Sequence, residues 1–150
     1  AYGRLGVRLT RGTINAAGLF AVVESGMFEE MPNLRVVVTA LALGGLLLAG
    51  SVGDGARLRK DAPAALRRHV YIDTTGLHPV TVRCAVDLLG ADHVVLGTDW
   101  PVVIEAPERI RTVLAASGLT TEEQRLVAGG SALSLLGLDA GSNVGASSHG

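Results

Sequence analysis

Two carboxylates follow apolar segments of the sequence and are the residues best placed to do chemistry. Asp99 comes shortly after the apolar run 93–96, in Val-Val-Leu-Gly-Thr-Asp-Trp-Pro (94–101), and Asp73 ends the run 69–73. A carboxylate at the carboxyl end of a buried strand lies where α/β proteins build their sites, and its burial is costly unless it is hydrogen-bonded or binds a cation. Asp99 is therefore the first candidate for a catalytic group or a metal ligand, with capping of the next helix as the alternative.

The sequence leaves two readings open for each of the next candidates. Asp73 either forms a site with Asp99, where repulsion between the carboxylates would favour a bound metal, or accepts hydrogen bonds from its own turn. His78 lies between a strand and a helix, so it either contacts substrate or sits exposed at the start of that helix. His69 and His93 open their strands at the opposite end and are predicted to be structural.

Few side chains in the sequence are placed to bind a transition metal together. There is no His-x-His, and no pair of the four histidines shares a helix face or a strand. A tetrahedral metal site needs three or four ligands, and only Asp99, Asp73 and His78 are candidates, so we expect the chain alone not to hold zinc tightly. The lone Cys84 excludes an internal disulfide, favours a reducing and hence cytoplasmic location, and is predicted to pack in the core.

Composition narrows the class of protein. The chain has 150 residues, of which 48% are hydrophobic and 18% charged, and its net charge is -1. These values fit one packed domain and argue against disorder, and without a basic stripe we expect no nucleic-acid partner.

The uncharged stretch 36–52 is short and interrupted by glycine, so a buried strand and turn are expected there and no membrane span. Residues 1–13 do not read as a secretory signal, and because no initiator Met is present we expect the chain to begin inside a longer sequence.

Short apolar runs alternate with helical patterns along the chain. Strands are predicted at 34–39, 69–73 and 93–96, and helices at 13–31, 61–68, 79–89, 105–117 and 120–136. This order predicts an α/β fold with about three parallel strands and flanking helices, connected by right-handed crossovers. Because three parallel strands leave two open edges, we interpret residues 1–138 as the C-terminal portion of a (β/α)8 TIM-like barrel, followed by a disordered tail at 139–150.

Four sequence blocks occur in an order and at a spacing that match a known protein family. They are Phe-Glu-Glu-Met-Pro-Asn-Leu-Arg-Val-Val-Val (28–38), Tyr-Ile-Asp-Thr (71–74), Leu-Leu-Gly-Ala-Asp-His-Val-Val-Leu-Gly-Thr-Asp-Trp-Pro (88–101) and Gly-Gly-Ser-Ala-Leu-Ser-Leu-Leu-Gly-Leu (129–138). Over about residues 12–138 the chain resembles the C-terminal part of the amidohydrolase-related family. These are metal-dependent barrels that include aminocarboxymuconate-semialdehyde decarboxylase and related aromatic-acid decarboxylases and hydrolases.

The resemblance implies roles for individual residues. Asp99, after the eighth strand, would bind a divalent metal (zinc or manganese) or serve as general base, while metal-bound water attacks a carbonyl or the metal orients a carboxylate for loss of CO2. Asp73 would line the substrate pocket, and His78 and Trp100 complete the predicted substrate-binding set. The family's sixth-strand histidine corresponds to Ala40, whose methyl group cannot bind a metal.

Two hypotheses follow for the function. In the first, the chain is the C-terminal part of a metal-dependent hydrolase or decarboxylase that acts on a small carboxylate or carbonyl substrate. In the second, it is a non-catalytic α/β half-barrel module that associates with another chain, for example as a homo-oligomer, through its open sheet edges.

Overall fold

A computed structural model describes residues 4–39, 42, 44–45, 47, 62–102 and 106–138. Strands and helices alternate over residues 36–116, as the sequence pattern predicts. In chain order the elements are α1 (Arg4–Glu24), α2 (Met27–Glu30), β1 (Val36–Val38), α3 (Ala62–His69), β2 (Val70–Asp73), α4 (Pro79–Leu89), a 3-10 turn (Ala91–His93), β3 (Val94–Val95), α5 (Pro107–Ala116), α6 (Thr121–Arg125), a kinked segment (Leu126–Gly130) and α7 (Ser131–Leu135). Ala40, much of the stretch 36–52 and the predicted tail 139–150 lie outside the described residues.

The three strands form one parallel sheet in the order β1-β2-β3. Val36 pairs with Val70 in β1 and β2, and Ile72 pairs with Val94 in β2 and β3. The central strand, β2, buries Val70 and Ile72, which are both 0% exposed. Three parallel strands with flanking helices confirm the prediction of a partial parallel barrel.

The core lies between this sheet and its helices. Helix α4 buries Val82, Ala85, Val86 and Leu89, whose spacing places them on one face of the helix. Each fully buried aliphatic side chain of this kind contributes about 1.5–3 kcal/mol of transfer free energy. The helix begins with Pro79 at its first turn and ends at Gly90, as predicted from the sequence. Helix α4 thus packs against β3, and the carboxyl ends of β2 and β3 carry the candidate site.

Two predicted helices are divided in the structure. The pattern at 13–31 continues backward to Arg4 and breaks between α1 and α2 at Gly26, where φ is +81°. Glycine adopts this left-handed conformation without the steric cost that a Cβ imposes. The pattern at 120–136 breaks at Gly129, which leaves helical geometry between α6 and α7. In both places the spacing of apolar residues continues across the break, so it predicts a single helix. The glycine is the sequence feature that marks the break.

Ser131, the first residue of α7, bonds the segment that precedes β3. The side chain is 1% exposed, and its hydroxyl donates to the carbonyl oxygen of Ala91 at 2.8 Å. This bond ties α7 to the 3-10 turn that precedes β3.

Among the described helices, none combines the length and the apolar character needed to cross a bilayer.

Candidate functional site

Both candidate carboxylates lie at the carboxyl-end edge of the parallel sheet, Asp73 at the end of β2 and Asp99 beyond the end of β3. Asp73 is the last residue of β2 and pairs with Val95 of β3, and Asp99 lies in the loop that follows β3. Because the strands are parallel, the loops after them emerge at the same edge of the sheet. The fold therefore places Asp73 and Asp99 at the edge where α/β proteins bind their ligands.

Asp99 is exposed and has an unusual backbone conformation. Its φ is +64°, in the left-handed region that aspartate tolerates better than most residues with a Cβ. Among the described residues, no hydrogen-bond donor contacts its carboxylate. The capping alternative is not observed, because α5 begins at Pro107 with Ala106 as its N-cap. The expected cost of burial does not arise either, since the side chain faces solvent. Asp99 is thus available to a ligand.

Trp100 extends this loop into solvent. Its side chain is 74% exposed, and its backbone N–H donates to the Thr98 hydroxyl at 3.3 Å. The peptide bond from Trp100 to Pro101 is cis. Two neighbouring residues of this loop, Asp99 and Trp100, thus both have exposed side chains, and the contact of Trp100 with substrate stays a prediction.

Asp73 turns its carboxylate to its own turn. Oδ1 accepts from the Thr75 N–H at 2.9 Å, and Oδ2 accepts from the Thr75 hydroxyl at 2.8 Å. This is the Asx turn that the sequence left open as the second reading. The carboxylate therefore has a local structural role, and its predicted contact with substrate stays a prediction.

Thr74, which is not among the predicted site residues, connects the loop after β2 to the loop after β3. Its side chain is buried, at 3% exposure, and its hydroxyl donates to the Gly97 carbonyl at 3.0 Å while accepting from the Gly97 N–H at 3.1 Å. The Thr74 backbone N–H also donates to the Val95 carbonyl at 3.1 Å. A polar residue directly after a buried strand, opposite a glycine after the next strand, is the pattern that could have identified it.

His78 is exposed at the N-cap position of α4. Its side chain makes no capping hydrogen bond, and its backbone carbonyl accepts from the Val82 N–H at 3.1 Å. The side chain is accessible to solvent, so the structure agrees with the exposed reading. Its contact with substrate stays a prediction.

The other two strand histidines are structural, as predicted. His69 is 4% exposed, its Nδ1–H donates to the Leu34 carbonyl at 2.9 Å, and its ring stacks on Phe28 with centroids 4.4 Å apart. His93 donates from Nδ1 to the Val70 carbonyl at 2.8 Å and stacks on Tyr71, also at 4.4 Å. Each imidazole therefore bonds two segments together at the amino end of the sheet.

Metal-ligating side chains are sparse in the part of the chain that the structure describes. No group of three or more His, Cys, Asp or Glu side chains there could hold a metal ion. Structural and catalytic zinc sites take at least three protein ligands, so these residues by themselves do not fit a resident metal. Cys84 is half-buried and packs against the core, as predicted.

Solved structures share this fold at low sequence identity. A dihydroxybenzoic acid decarboxylase from Polaromonas sp. JS666, with bound manganese and the inhibitor 2-nitroresorcinol, aligns over 89% of this chain and 42% of its own, with a TM-score of 0.70 and 19% identity. A 5-carboxyvanillate decarboxylase from Sphingomonas paucimobilis aligns over 83% and 40%, with a TM-score of 0.64 and 20% identity. A 2,6-dihydroxybenzoate decarboxylase from Rhizobium aligns over 85% and 42%, with a TM-score of 0.71 and 19% identity.

These similarities set both the family and the extent of the match. The chain spans about two fifths of the length of the three structures. The sequence model of the amidohydrolase family matches residues 22–138, which include all three strands and Asp99. Since that match covers most of the chain, the protein belongs to the amidohydrolase family.

Proposed function

We propose that this chain is part of the barrel of a metal-dependent decarboxylase or hydrolase. In this proposal, Asp99 is the acid–base residue at the carboxyl ends of the strands. The substrate class that we favour is a small hydroxylated aromatic acid. Support for that class comes from the names of the three structures described above, which are decarboxylases of dihydroxybenzoates and of 5-carboxyvanillate. The proposal concerns the whole protein that contains this chain.

The observation that carries this proposal is the exposure of Asp99 at the carboxyl edge of the sheet. Its carboxylate is accessible, and the residue lies on a loop that follows a buried strand. A rigid parallel sheet with a reactive side chain on the loop after a strand is the arrangement that barrels use for catalysis. Asp73, by contrast, is already hydrogen-bonded to Thr75.

The chemistry of decarboxylation gives a carboxyl group a defined task. When the bond between the ring carbon and the carboxylate breaks, CO2 leaves and the electron pair stays on the ring carbon, which must then receive a proton. A carboxylic acid within reach of that carbon can deliver the proton and recover it from solvent. Asp99, exposed on the loop after β3, has the place and the access that this task requires.

We also propose a divalent metal for the whole protein, manganese or zinc. Manganese is present in the similar structure from Polaromonas. Since the described residues do not fit a metal by themselves, its ligands would come largely from elsewhere in the protein.

The test is a CO2-release assay on the protein expressed from the complete reading frame that encodes this chain. The substrates are 2,6-dihydroxybenzoate and 5-carboxyvanillate, with added manganese. We expect turnover of at least one acid, and a loss of about 10²- to 10⁴-fold in kcat for Asp99→Asn. The matched control is Asp92→Asn, which removes an exposed carboxylate from the 3-10 turn before β3. No turnover, or equal turnover by both variants, would overturn the proposal.

A second candidate function is the non-catalytic module. It is supported by the sheet itself, because among the described residues β1 pairs with β2 alone and Val37 is 50% exposed. An edge strand with an exposed apolar side chain can accept another strand. In this case the chain would associate with a further copy through β1, and Asp99 would have no catalytic role.

A further inference from the structure

We propose that Asp73, Thr74, Thr75 and Gly97 form a latch between the loops after β2 and β3, and that Asp73 is a positioning residue for Asp99. The catalytic consequence rests on the function proposed above, whereas the mechanical role of the latch does not. The inference gives Asp73 a different task from the substrate contact that the sequence predicts.

The first half of the latch closes the turn after β2. Both carboxylate oxygens of Asp73 accept from Thr75, one from its N–H at 2.9 Å and one from its hydroxyl at 2.8 Å. Two bonds to one residue leave the carboxylate little freedom to rotate, and hydrogen bonds to a charged acceptor are stronger than neutral ones. The direction of the turn, and with it the orientation of Thr74 between the two residues, is thereby set.

The second half ties this turn to the loop after β3. The Thr74 hydroxyl bonds both the N–H and the carbonyl of Gly97, at 3.1 and 3.0 Å. The side chain is 3% exposed, so water does not compete readily for these bonds. One buried hydroxyl thus continues the bonding between β2 and β3 beyond the last strand residue, to the backbone of the loop after β3.

Gly97 makes this close approach feasible. A Cβ at that position would lie 2.9 Å from the Asp73 Cβ and 3.0 Å from both its Cγ and its Oδ2. Real side chains do not approach so closely, so any larger residue would push the loop away from Asp73 or displace the carboxylate. The glycine is therefore matched to the aspartate across the two loops.

The latch ends two residues before Asp99. Between them, the Thr98 hydroxyl accepts from the Trp100 N–H at 3.3 Å, and Asp99 has the left-handed φ of +64°. A conformation of this kind persists only when its surroundings enforce it. Anchoring Gly97 on one side supplies such enforcement, so loss of the latch should let Asp99 and Trp100 leave their positions together.

The single tryptophan of this chain gives a direct test. The protein from the complete reading frame is labelled with 5-fluorotryptophan, and its Trp100 signal in the 19F NMR spectrum is assigned as the one lost in Trp100→Phe. We expect Thr74→Val and Asp73→Ala to shift or split this signal. Thr74→Ser keeps the hydroxyl and Asp73→Asn keeps the bonding shape, so both should leave the signal at its wild-type position. A wild-type signal in Thr74→Val would overturn the latch, and this variant decides the question even where Asp73→Ala does not fold.

Activity separates positioning from substrate contact. For a positioning role we expect Thr74→Val and Asp73→Ala to lower kcat by about 10²-fold with little change in KM, since a small misplacement of a reacting group has this effect. Asp73→Asn should restore most of the activity lost in Asp73→Ala. If Asp73→Asn is as inactive as Asp73→Ala while its Trp100 signal is unchanged, Asp73 acts as a charged ligand and the positioning role is wrong. If instead Asp99→Asn has no effect on CO2 release, the proposed function fails and the NMR result still decides the latch.

Discussion

At the scale of single residues, three buried or half-buried polar side chains join segments that are distant in sequence. His69 donates to the carbonyl of Leu34, His93 to that of Val70, and Ser131 to that of Ala91. A buried donor is costly unless it finds an acceptor, and each of these finds a backbone carbonyl of another segment. The two histidines are thus structural, because each ring both bonds a carbonyl of another segment and stacks on an aromatic side chain, Phe28 or Tyr71.

Replacing His69 tests this role. His69→Phe keeps an aromatic ring to stack on Phe28 but loses the bond to Leu34, so we expect the free energy of unfolding to fall by about 1 kcal/mol. Urea unfolding followed by far-UV circular dichroism measures the change. His78→Phe is the control, because His78 is exposed and its side chain caps nothing. Equal effects of the two substitutions would contradict the structural role.

Ser131 allows a second test at this scale. Ser131→Ala removes a buried hydroxyl that bonds Ala91 at 2.8 Å, and we expect a loss of about 1 kcal/mol in the free energy of unfolding. The control is Ser134→Ala, an exposed serine of the same helix. If chemical denaturation gives both variants the same midpoint, the bond between α7 and the 3-10 turn contributes nothing to stability.

At the scale of elements, the beginning of α6 is joined to α4 by one charged pair. Thr120 and Glu123 form a capping box, in which the Thr120 hydroxyl accepts from the Glu123 N–H and Glu123 accepts from the Thr120 N–H. Arg83 of α4 donates to both oxygens of Glu123 at 3.3 Å. The hydrogen bond from Arg83, followed by that from the Thr120 backbone, lowers the pKa of Glu123 below its ordinary value of 4.5.

This shift predicts a dependence of stability on pH. Because the pKa of Glu123 is lower in the folded chain than in the unfolded one, its contribution is fully present above the ordinary value of 4.5 and is lost as pH falls through the folded value. We expect Glu123→Gln to reduce the fall in stability between about pH 6 and about pH 3, measured by urea unfolding across that range. Glu30→Gln, at an exposed glutamate of α2, is the control. A wild-type pH profile for Glu123→Gln would show that the pair with Arg83 does not form.

At the scale of the whole molecule, the described sheet has an accessible edge at β1. Val37 points an apolar side chain to solvent there, at 50% exposure. Such edges favour pairing with a further strand, and a charged side chain placed on an edge opposes it. The edge therefore matters to the second candidate function, in which copies of the chain associate.

Val37→Lys tests that association. If the chain self-associates through β1, we expect the substitution to lower the associated fraction in sedimentation velocity, because the new ammonium group would be desolvated on pairing. Val80→Lys, at a 70% exposed position on α4, is the control. Identical sedimentation of the wild type and both variants would exclude β1 as the contact surface.

The sequence could predict elements whose boundaries depend on local chemistry. Helix α4 was predicted with its observed bounds, since Pro79 and Gly90 mark its ends, whereas α1 and α2 were predicted as one helix because their apolar periodicity runs across Gly26. For the candidate site, the sequence predicts Asp99 and the strand that precedes it. Thr74 was missed, because a buried threonine acquires its role only when a second strand brings Gly97 beside it.

The sequence by itself determined the parallel α/β order, the family resemblance and Asp99 as the leading candidate, because these follow from hydrophobic pattern, motif order and residue type along one chain. Only the tertiary structure showed that Asp73 bonds its own turn, since hydrogen bonding to Thr75 and the close approach of Gly97 depend on distances between atoms. It likewise showed that Asp99 is exposed instead of buried. The physical reason is that a strand's covered face can be read from its residues, whereas the direction of a polar side chain in a loop depends on which partners the fold brings within hydrogen-bonding distance.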